Sequence, residues 1–252
     1  MNGGLLAGKV AVITGGSRGL GRAITEGLAG AGATVVIASR KREACEQLAQ
    51  VLLAKGSQAS AHSFDAGRWE DCDRLYEEVT RRWGGAQILI NNVGMSPLAP
   101  SSLETSEALF DKVIAVNLRA PFRLSSLFGN QMRQSGGGAI VNISSSGSVR
   151  AQPGFAPYAA AKAGLNVLTT TFAKELGPSV RVNTVMPGPF HTEATQQWSR
   201  SDGFARHAHS TLPLQRAGEP HEIVGAVLYL VSPSASFTTG ACLNVDGGHG
   251  TA

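Results

Sequence analysis

Cysteine is scarce in this chain: Cys45, Cys72 and Cys242 are odd in number and far apart, with no C-x-x-C pair. That usage fits a reducing compartment and argues against a thiolate metal site. Long apolar runs are missing as well. No stretch approaches the ~20 residues of a membrane span, and the start, Met1 to Lys9, lacks the charged and apolar regions of a secretory signal. A soluble, cytoplasmic chain with no membrane partner is expected. No linker rich in Pro, Ser or charge divides the 252 residues, and there is no internal repeat or low-complexity tract, so one domain over residues 1–252 is expected. Charge of one sign is also modest. A formal net charge of +4 with scattered Lys and Arg does not single out nucleic acid, and leaves a preference for small anionic ligands open. His207 and His209, with His191 nearby, lack a further ligand cluster at metal spacing, so a solvated loop is a simpler reading than a metal site.

What is present is an alternation of short apolar runs with helical patterns. Lys9 to Ile13 reads as a buried strand ending at Thr14-Gly15-Gly16-Ser17-Arg18-Gly19-Leu20-Gly21, and Arg22 to Ala31 has helical spacing. A strand that enters a helix through glycines can seat a phosphate, because the helix N-terminus presents free N–H groups and partial positive charge. The spacing is G-x-x-x-G-x-G rather than the commoner G-x-G-x-x-G, and a purely structural turn is the alternative. Thr34 to Ala38 is a second strand, closing at Ser39-Arg40-Lys41-Arg42. A basic strand end suits the 2′-phosphate of a dinucleotide, where an acidic one would hold a 2′-hydroxyl; a solvated charge run opening the Glu43 to Lys55 helix is the other reading.

Gln58 to Phe64 makes a third strand ending at Asp65, Trp69 to Trp83 a third helix, and Ile88 to Ile90 a fourth strand. The following Asn91-Asn92-Val93-Gly94 offers two amides suited to holding a backbone near a ligand. From Leu103 a helical pattern runs through Phe110, Val113, Ile114 and Asn117 and stops before Pro121, with Asn117 a buried amide satisfied by its neighbours. Strands at Ala139 to Ile143, Val180 to Val185 and Gly240 to Val245 follow, with helices from Pro157 to the Gly177-Pro178 stop and from Glu219 to Val231. Residues 193–212 read as polar and irregular. The alternation predicts an α/β fold with a doubly wound parallel sheet, helices on both faces, and ligands at the carboxyl ends of the strands.

The stretch with the most chemistry is Pro157-Tyr158-Ala159-Ala160-Ala161-Lys162. Residues four apart share a helix face, so the Tyr158 hydroxyl and the Lys162 ammonium point into one space. A phenol titrates near pH ~10, and a neighbouring cation is expected to lower that value and make Tyr158 an acid/base. Ser145, at the end of a buried strand, can hold a substrate oxygen or simply close a turn.

Taken together, Thr14-Gly15-x-x-x-Gly19-x-Gly21, Asn91-Asn92-Val93-Gly94, Asn117, Ser145, Tyr158-x-x-x-Lys162 and Pro187-Gly188-x-x-x-Thr192 resemble the classical short-chain dehydrogenase/reductase family, from about Lys9 to Gly248. Val93 stands where that family usually has alanine, and Phe190 where an aliphatic residue is commoner. The resemblance implies a Rossmann-like sheet of seven parallel strands in one domain, often a homotetramer, and hydride transfer between NAD(P) and a carbonyl or alcohol. It implies catalytic roles for Asn117, Ser145, Tyr158 and Lys162, with Asn117 helping to hold a water chain. Cofactor contacts are implied at Gly15, Ser17, Arg18, Gly19, Leu20, Gly21, Ser39, Arg40, Asp65, Asn92, Gly94, Tyr158, Lys162, Pro187, Gly188, Phe190 and Thr192. Arg18, Ser39 and Arg40 favour NADP(H) over NAD(H). Small-molecule specificity is expected from residues 95–100, 147–155 and 190–212, with 3-oxoacyl carriers, sugar acids, steroids and other ketones all candidates. A non-catalytic NAD(P)-binding regulator of the same fold is the alternative, and such a protein would be expected to have lost Tyr158 or Lys162.

Overall fold

The computed structural model describes residues 4–97 and 101–249. Each apolar run becomes a strand: β1 Val10–Thr14, β2 Thr34–Ser39, β3 Ala59–Ser63, β4 Ile88–Asn91, β5 Gly138–Ile143, β6 Val180–Pro187 and β7 Cys242–Val245. The helices are α1 Gly19–Gly30, α2 Arg42–Ala54, α3 Trp69–Trp83, α4 Glu107–Ile114, α5 Ala120–Gln134, α6 Ala156–Leu176, α7 Gln196–Ser199, α8 Asp202–Thr211 and α9 Val224–Val231. All seven strands pair in parallel in the order β3-β2-β1-β4-β5-β6-β7.

The central strands are apolar on both faces because helices cover both. Ala11 and Ile13 of β1 point into a core shared with Ile24 and Leu28 of α1, Leu48 of α2 and Val227 of α9. Val10 and Val12 point the other way, against Leu75 and Val79 of α3, Leu124 and Phe128 of α5 and Phe172 of α6. The strand order reverses between β1 and β4, opening a crevice at their carboxyl ends. Beneath it a buried polar row ties three strands together. Asn91 donates to Ser125 Oγ (3.0 Å) and Asn142 Oδ1 (2.8 Å), Asn142 donates to Thr169 Oγ1 (2.8 Å), and Thr169 meets Thr184 Oγ1 at 2.7 Å. Such a row fixes strand register, since a slip would strand its polar groups in the core.

Two elements differ from the sequence expectation. The helix expected to stop before Pro121 continues: α4 passes through a π turn at Ala115–Arg119 into α5, with Pro121 in the first turn of α5. The wider π turn accommodates the ring and the missing N–H that would break a regular helix. Residues 193–212 are not irregular either, since they carry α7 and α8. Ser201 caps α8 by accepting from Phe204 N at 3.1 Å, and Asp202 sits in its positive first turn. Near the carboxyl end of the chain, the expected Glu219 to Val231 helix begins as a 3₁₀ turn at Pro220–Ile223, closed by a reciprocal Glu219–Glu222 cap.

Candidate active site

The glycine turn after β1 is built around Thr14. Its Oγ1 donates to Ile90 O (3.2 Å) and accepts from Asn92 N (3.0 Å) and Val93 N (3.1 Å), which fastens the end of β1 to the end of β4. Asn92 closes the clamp by donating from Nδ2 to Thr14 O (2.9 Å) and Gly15 O (3.2 Å). Its amide nitrogen therefore shapes the turn from behind. Gly15 (φ +64°) and Gly19 (φ +52°) occupy the left-handed region, and a Cβ on Gly21 would stand 2.1 Å from Gly15 O. Only glycine permits this turn. Ser17 and Ser39 face each other across its outer side at 3.0 Å, and Arg18 and Arg40 are exposed beside them. Asp65, just beyond β3, turns its carboxylate back to Gly67 N at 2.9 Å, and Leu20 packs against the α1 core.

Ser145, Tyr158 and Lys162 come together at the carboxyl ends of β4 and β5. Ser145 caps a 3₁₀ turn at Ser146–Ser148, accepting from Gly147 N at 3.0 Å. A Cβ on Gly147 would lie 3.3 Å from Ser145 Oγ and 3.8 Å from the Tyr158 ring, which places the two side chains side by side. On α6 the Lys162 ammonium lies 5.9 Å from the centre of the Tyr158 ring and donates to Ile143 O at 2.8 Å. Ser144 Oγ donates to Lys162 O at 3.2 Å, pinning α6 to the end of β5. Gly94 is the common neighbour, because a Cβ there would stand 3.1 Å from Asn117 Oδ1 and 3.5 Å from Lys162 Nζ.

The electrostatics differ from the expected cation-driven phenolate. Burial holds the Tyr158 phenol above its usual value of 10.0, and the adjacent Ser145 hydroxyl opposes this without overcoming it. Burial also pulls Lys162 down to about 8. In this arrangement burial favours the protonated phenol, a form suited to donating a proton.

Asn117 is buried within the π turn. Its Nδ2 donates to Met95 O (2.9 Å) and Val113 O (2.9 Å), and its Oδ1 accepts from Met95 N at 3.2 Å. With both N–H groups committed, the side chain holds the loop after β4. The Phe190 ring is buried in the α1/α9 core against Gly218. Thr192, by contrast, reaches back over the glycine turn, with its Cβ 3.5 Å from the point where a Gly19 Cβ would lie. Pro187 ends β6, and Gly188 is tight against Asp246, 2.7 Å from its Cα if a Cβ were added.

Of the expected specificity segments, residues 98–100 lie outside the described residues. His191 pairs with Ser199 Oγ (3.0 Å) and His209 with Gln215 Oε1 (2.8 Å), and among the described residues no group of three or more His, Cys, Asp or Glu is arranged to hold a metal ion. Two features escaped the sequence reading. One is the Ser148, Asn166 and Met186 contact behind Ser145, where Asn166 Nδ2 donates to Ser148 Oγ at 2.9 Å. The other is Cys45, which reaches the Ser39 hydroxyl at 3.0 Å. Both bring together residues far apart or on different elements, and no local pattern announces them.

A family model described as enoyl-(acyl carrier protein) reductase matches residues 15–250. Dehydrogenase/reductase SDR family member 4 of Homo sapiens is 34% identical over 244 residues, covering 96% of this chain and 88% of its own. The 3-oxoacyl-(acyl-carrier-protein) reductase FabG of Thermotoga maritima is 34% identical over 245 residues, covering 96% and 98%. Among solved structures, a gluconate 5-dehydrogenase from Burkholderia cenocepacia J2315 in complex with NADP and tartrate aligns with a TM-score of 0.93 at 32% identity, over 98% of this chain and 97% of that one. The seven-stranded order, the clamped glycine turn and the clustered serine, tyrosine and lysine agree with those matches, and the chain belongs to the short-chain dehydrogenase/reductase family of oxidoreductases.

Proposed function

We propose that this protein interconverts a carbonyl and a secondary alcohol with NADP(H) as its cofactor. One observation carries the reading: Ser145, Tyr158 and Lys162 converge at the same sheet edge as a glycine turn that leaves room for a pyrophosphate. The residues fit such a group. Gly15 and Gly19 keep the backbone bare, the start of α1 has no side-chain cap on its N–H groups, and Ser17, Ser39, Arg18 and Arg40 collect where a 2′-phosphate would lie. The bound nicotinamide supplies hydride chemistry to the site. Within the chain, Ser145 orients the substrate oxygen by a hydrogen bond and Tyr158 gives that oxygen a proton, a role suited to a phenol held in its protonated form. Lys162 holds positive charge beside the phenol, and Asn117 positions the Met95 loop that forms the adjacent wall.

NADP and NADPH appear in related structures, the gluconate 5-dehydrogenase above and a metagenomic blue fluorescent protein in complex with NADPH, which supports the cofactor reading. The substrate classes proposed are 3-oxoacyl thioesters, sugar acids, steroids and other ketones, with residues 190–212 covering the substrate side through α7 and α8. Assembly as a homotetramer accompanies this reading, since β7 ends the sheet with alternately exposed residues and Tyr229 of α9 is exposed nearby. The test is a panel of those carbonyls followed by loss of the NADPH absorbance band. Turnover of one of them that disappears in Tyr158→Phe supports the reading. NADPH binding without turnover across the panel overturns it and leaves a non-catalytic binder.

A further inference from the structure

The pocket proposed for the 2′-phosphate is underlaid by a thiol. Cys45 is fully buried on the first turns of α2, and its Sγ lies 3.0 Å from Ser39 Oγ. Ser39 Oγ in turn lies 3.0 Å from Ser17 Oγ, with Lys41 O a more distant neighbour at 3.5 Å. The result is a chain of three side chains, Cys45, Ser39 and Ser17, running from the core to the outer lip of the glycine turn.

The chain has a direction set by the chemistry of its members. A hydroxyl has one proton to donate and two lone pairs, whereas a thiol is a weak donor and a weaker acceptor. The arrangement that satisfies all three groups has Cys45 S–H donating to Ser39 Oγ and Ser39 O–H donating to Ser17 Oγ, which leaves the Ser17 proton free to point outward. A 2′-phosphate is rich in acceptors, so it rewards every proton turned toward it. A 2′-hydroxyl both donates and accepts, and is indifferent to which way the serine points. We propose that Cys45 is a positioning residue for cofactor choice: by occupying a lone pair of Ser39, its thiol turns the Ser39 proton to Ser17 and the Ser17 proton to the 2′-phosphate, and so favours NADP(H) over NAD(H). This rests on the NADP(H) reading above, and it concerns a residue that never touches the cofactor.

The experiment is calorimetric titration with 2′,5′-ADP and with 5′-AMP, fragments that differ only by the 2′-phosphate and report its pocket without turnover. Wild type is compared with Cys45→Val, which fills the space without a donor, with Cys45→Ala, and with Cys45→Ser, which restores one. A net hydrogen bond of ~0.5–1.5 kcal/mol corresponds to about 2- to 12-fold in affinity. Accordingly Kd for 2′,5′-ADP should rise about 2- to 12-fold in the Val and Ala variants while Kd for 5′-AMP changes less than about 2-fold, and Ser should restore the wild-type ratio. Equal weakening toward both fragments, or no change toward either, overturns the proposal, since a merely structural thiol gives one or the other. A wild type that binds 5′-AMP as tightly as 2′,5′-ADP instead overturns the NADP(H) reading itself. The two failures are therefore separable. Melting temperatures of all four proteins identify any variant that fails to fold, and Cys45→Val then decides in place of Cys45→Ala.

Discussion

Lys162→Met is expected to make the cofactor-free protein more stable at neutral pH while destroying its activity. Lys162 is 3% exposed, and among the described residues its ammonium has one hydrogen-bond acceptor, Ile143 O at 2.8 Å. Burial lowers it from 10.5 to about 8. At ~1.36 kcal/mol per pH unit that fall amounts to roughly 3 kcal/mol of native-state cost. Methionine matches the length and apolar stem and carries no charge to desolvate. It also forfeits a charged hydrogen bond worth ~1.5–3 kcal/mol, so the net gain is of order 1 kcal/mol, or ~2–4 °C in Tm for a chain of this size.

The pH dependence is the sharper readout, and its sign follows from proton counting. Below pH 8 both folded and unfolded Lys162 are protonated, and the cost is present in full. Between about 8 and 10.5 the unfolded chain keeps the proton that the native state releases, so stability rises with pH in this window. Wild type should therefore gain on Lys162→Met by ~1.4 kcal/mol per pH unit above pH 8. Urea denaturation at pH 7.0, 8.0, 9.0 and 9.5 (about half a unit to one unit apart, to span the window), at fixed protomer concentration and without cofactor, measures the difference. A difference that stays flat across that range would mean that Lys162 titrates at its ordinary value, and the buried-charge reasoning would fail.

Tyr158→Phe should lower kcat by ~10²–10⁴ while NADPH binding measured by fluorescence survives; a variant retaining more than about a tenth of wild-type kcat removes Tyr158 as the proton donor. Ser39→Asp combined with Arg40→Leu should move the kcat/KM ratio toward NAD(H), by roughly the ~2–3 kcal/mol assigned to this solvent-open phosphate site, and an unchanged ratio returns Arg40 to a solvated face. Gly21→Ala places a methyl 2.1 Å from Gly15 O, so dinucleotide binding should collapse and stability should fall by ~1–3 kcal/mol in urea titrations; an unaltered Kd would show that the turn is not the seat. Light scattering at micromolar protomer should give the mass of a tetramer, and a monomer there refutes the assembly proposed from the β7 edge.

Most of the strands were legible in the sequence because they carry short apolar runs bounded by turn residues. A parallel sheet buried on both faces leaves little choice in where such runs can lie. The glycine turn was legible for a related reason: Gly15 and Gly19 need positive φ and Gly21 needs a bare backbone, and glycine at those positions is a local requirement. Tyr158 and Lys162 share a face because a helix puts residues four apart together, which spacing alone reveals. What the chain could not disclose locally was the environment of those groups. Whether the phenol of Tyr158 is raised by burial or lowered by Lys162 depends on water excluded by β5, α6 and the Gly94 turn. Pro121 reads as a stop until the π turn before it supplies room, and Ser201 becomes a helix cap only once α8 has formed behind it. The two side-chain amides show the division most clearly. Asn92 and Asn117 are both polar residues near a ligand crevice, yet their N–H groups are spent on Thr14, Gly15, Met95 and Val113, partners up to 78 residues away. Hydrogen-bond commitment is a property of distances between elements, and only the folded chain sets those distances.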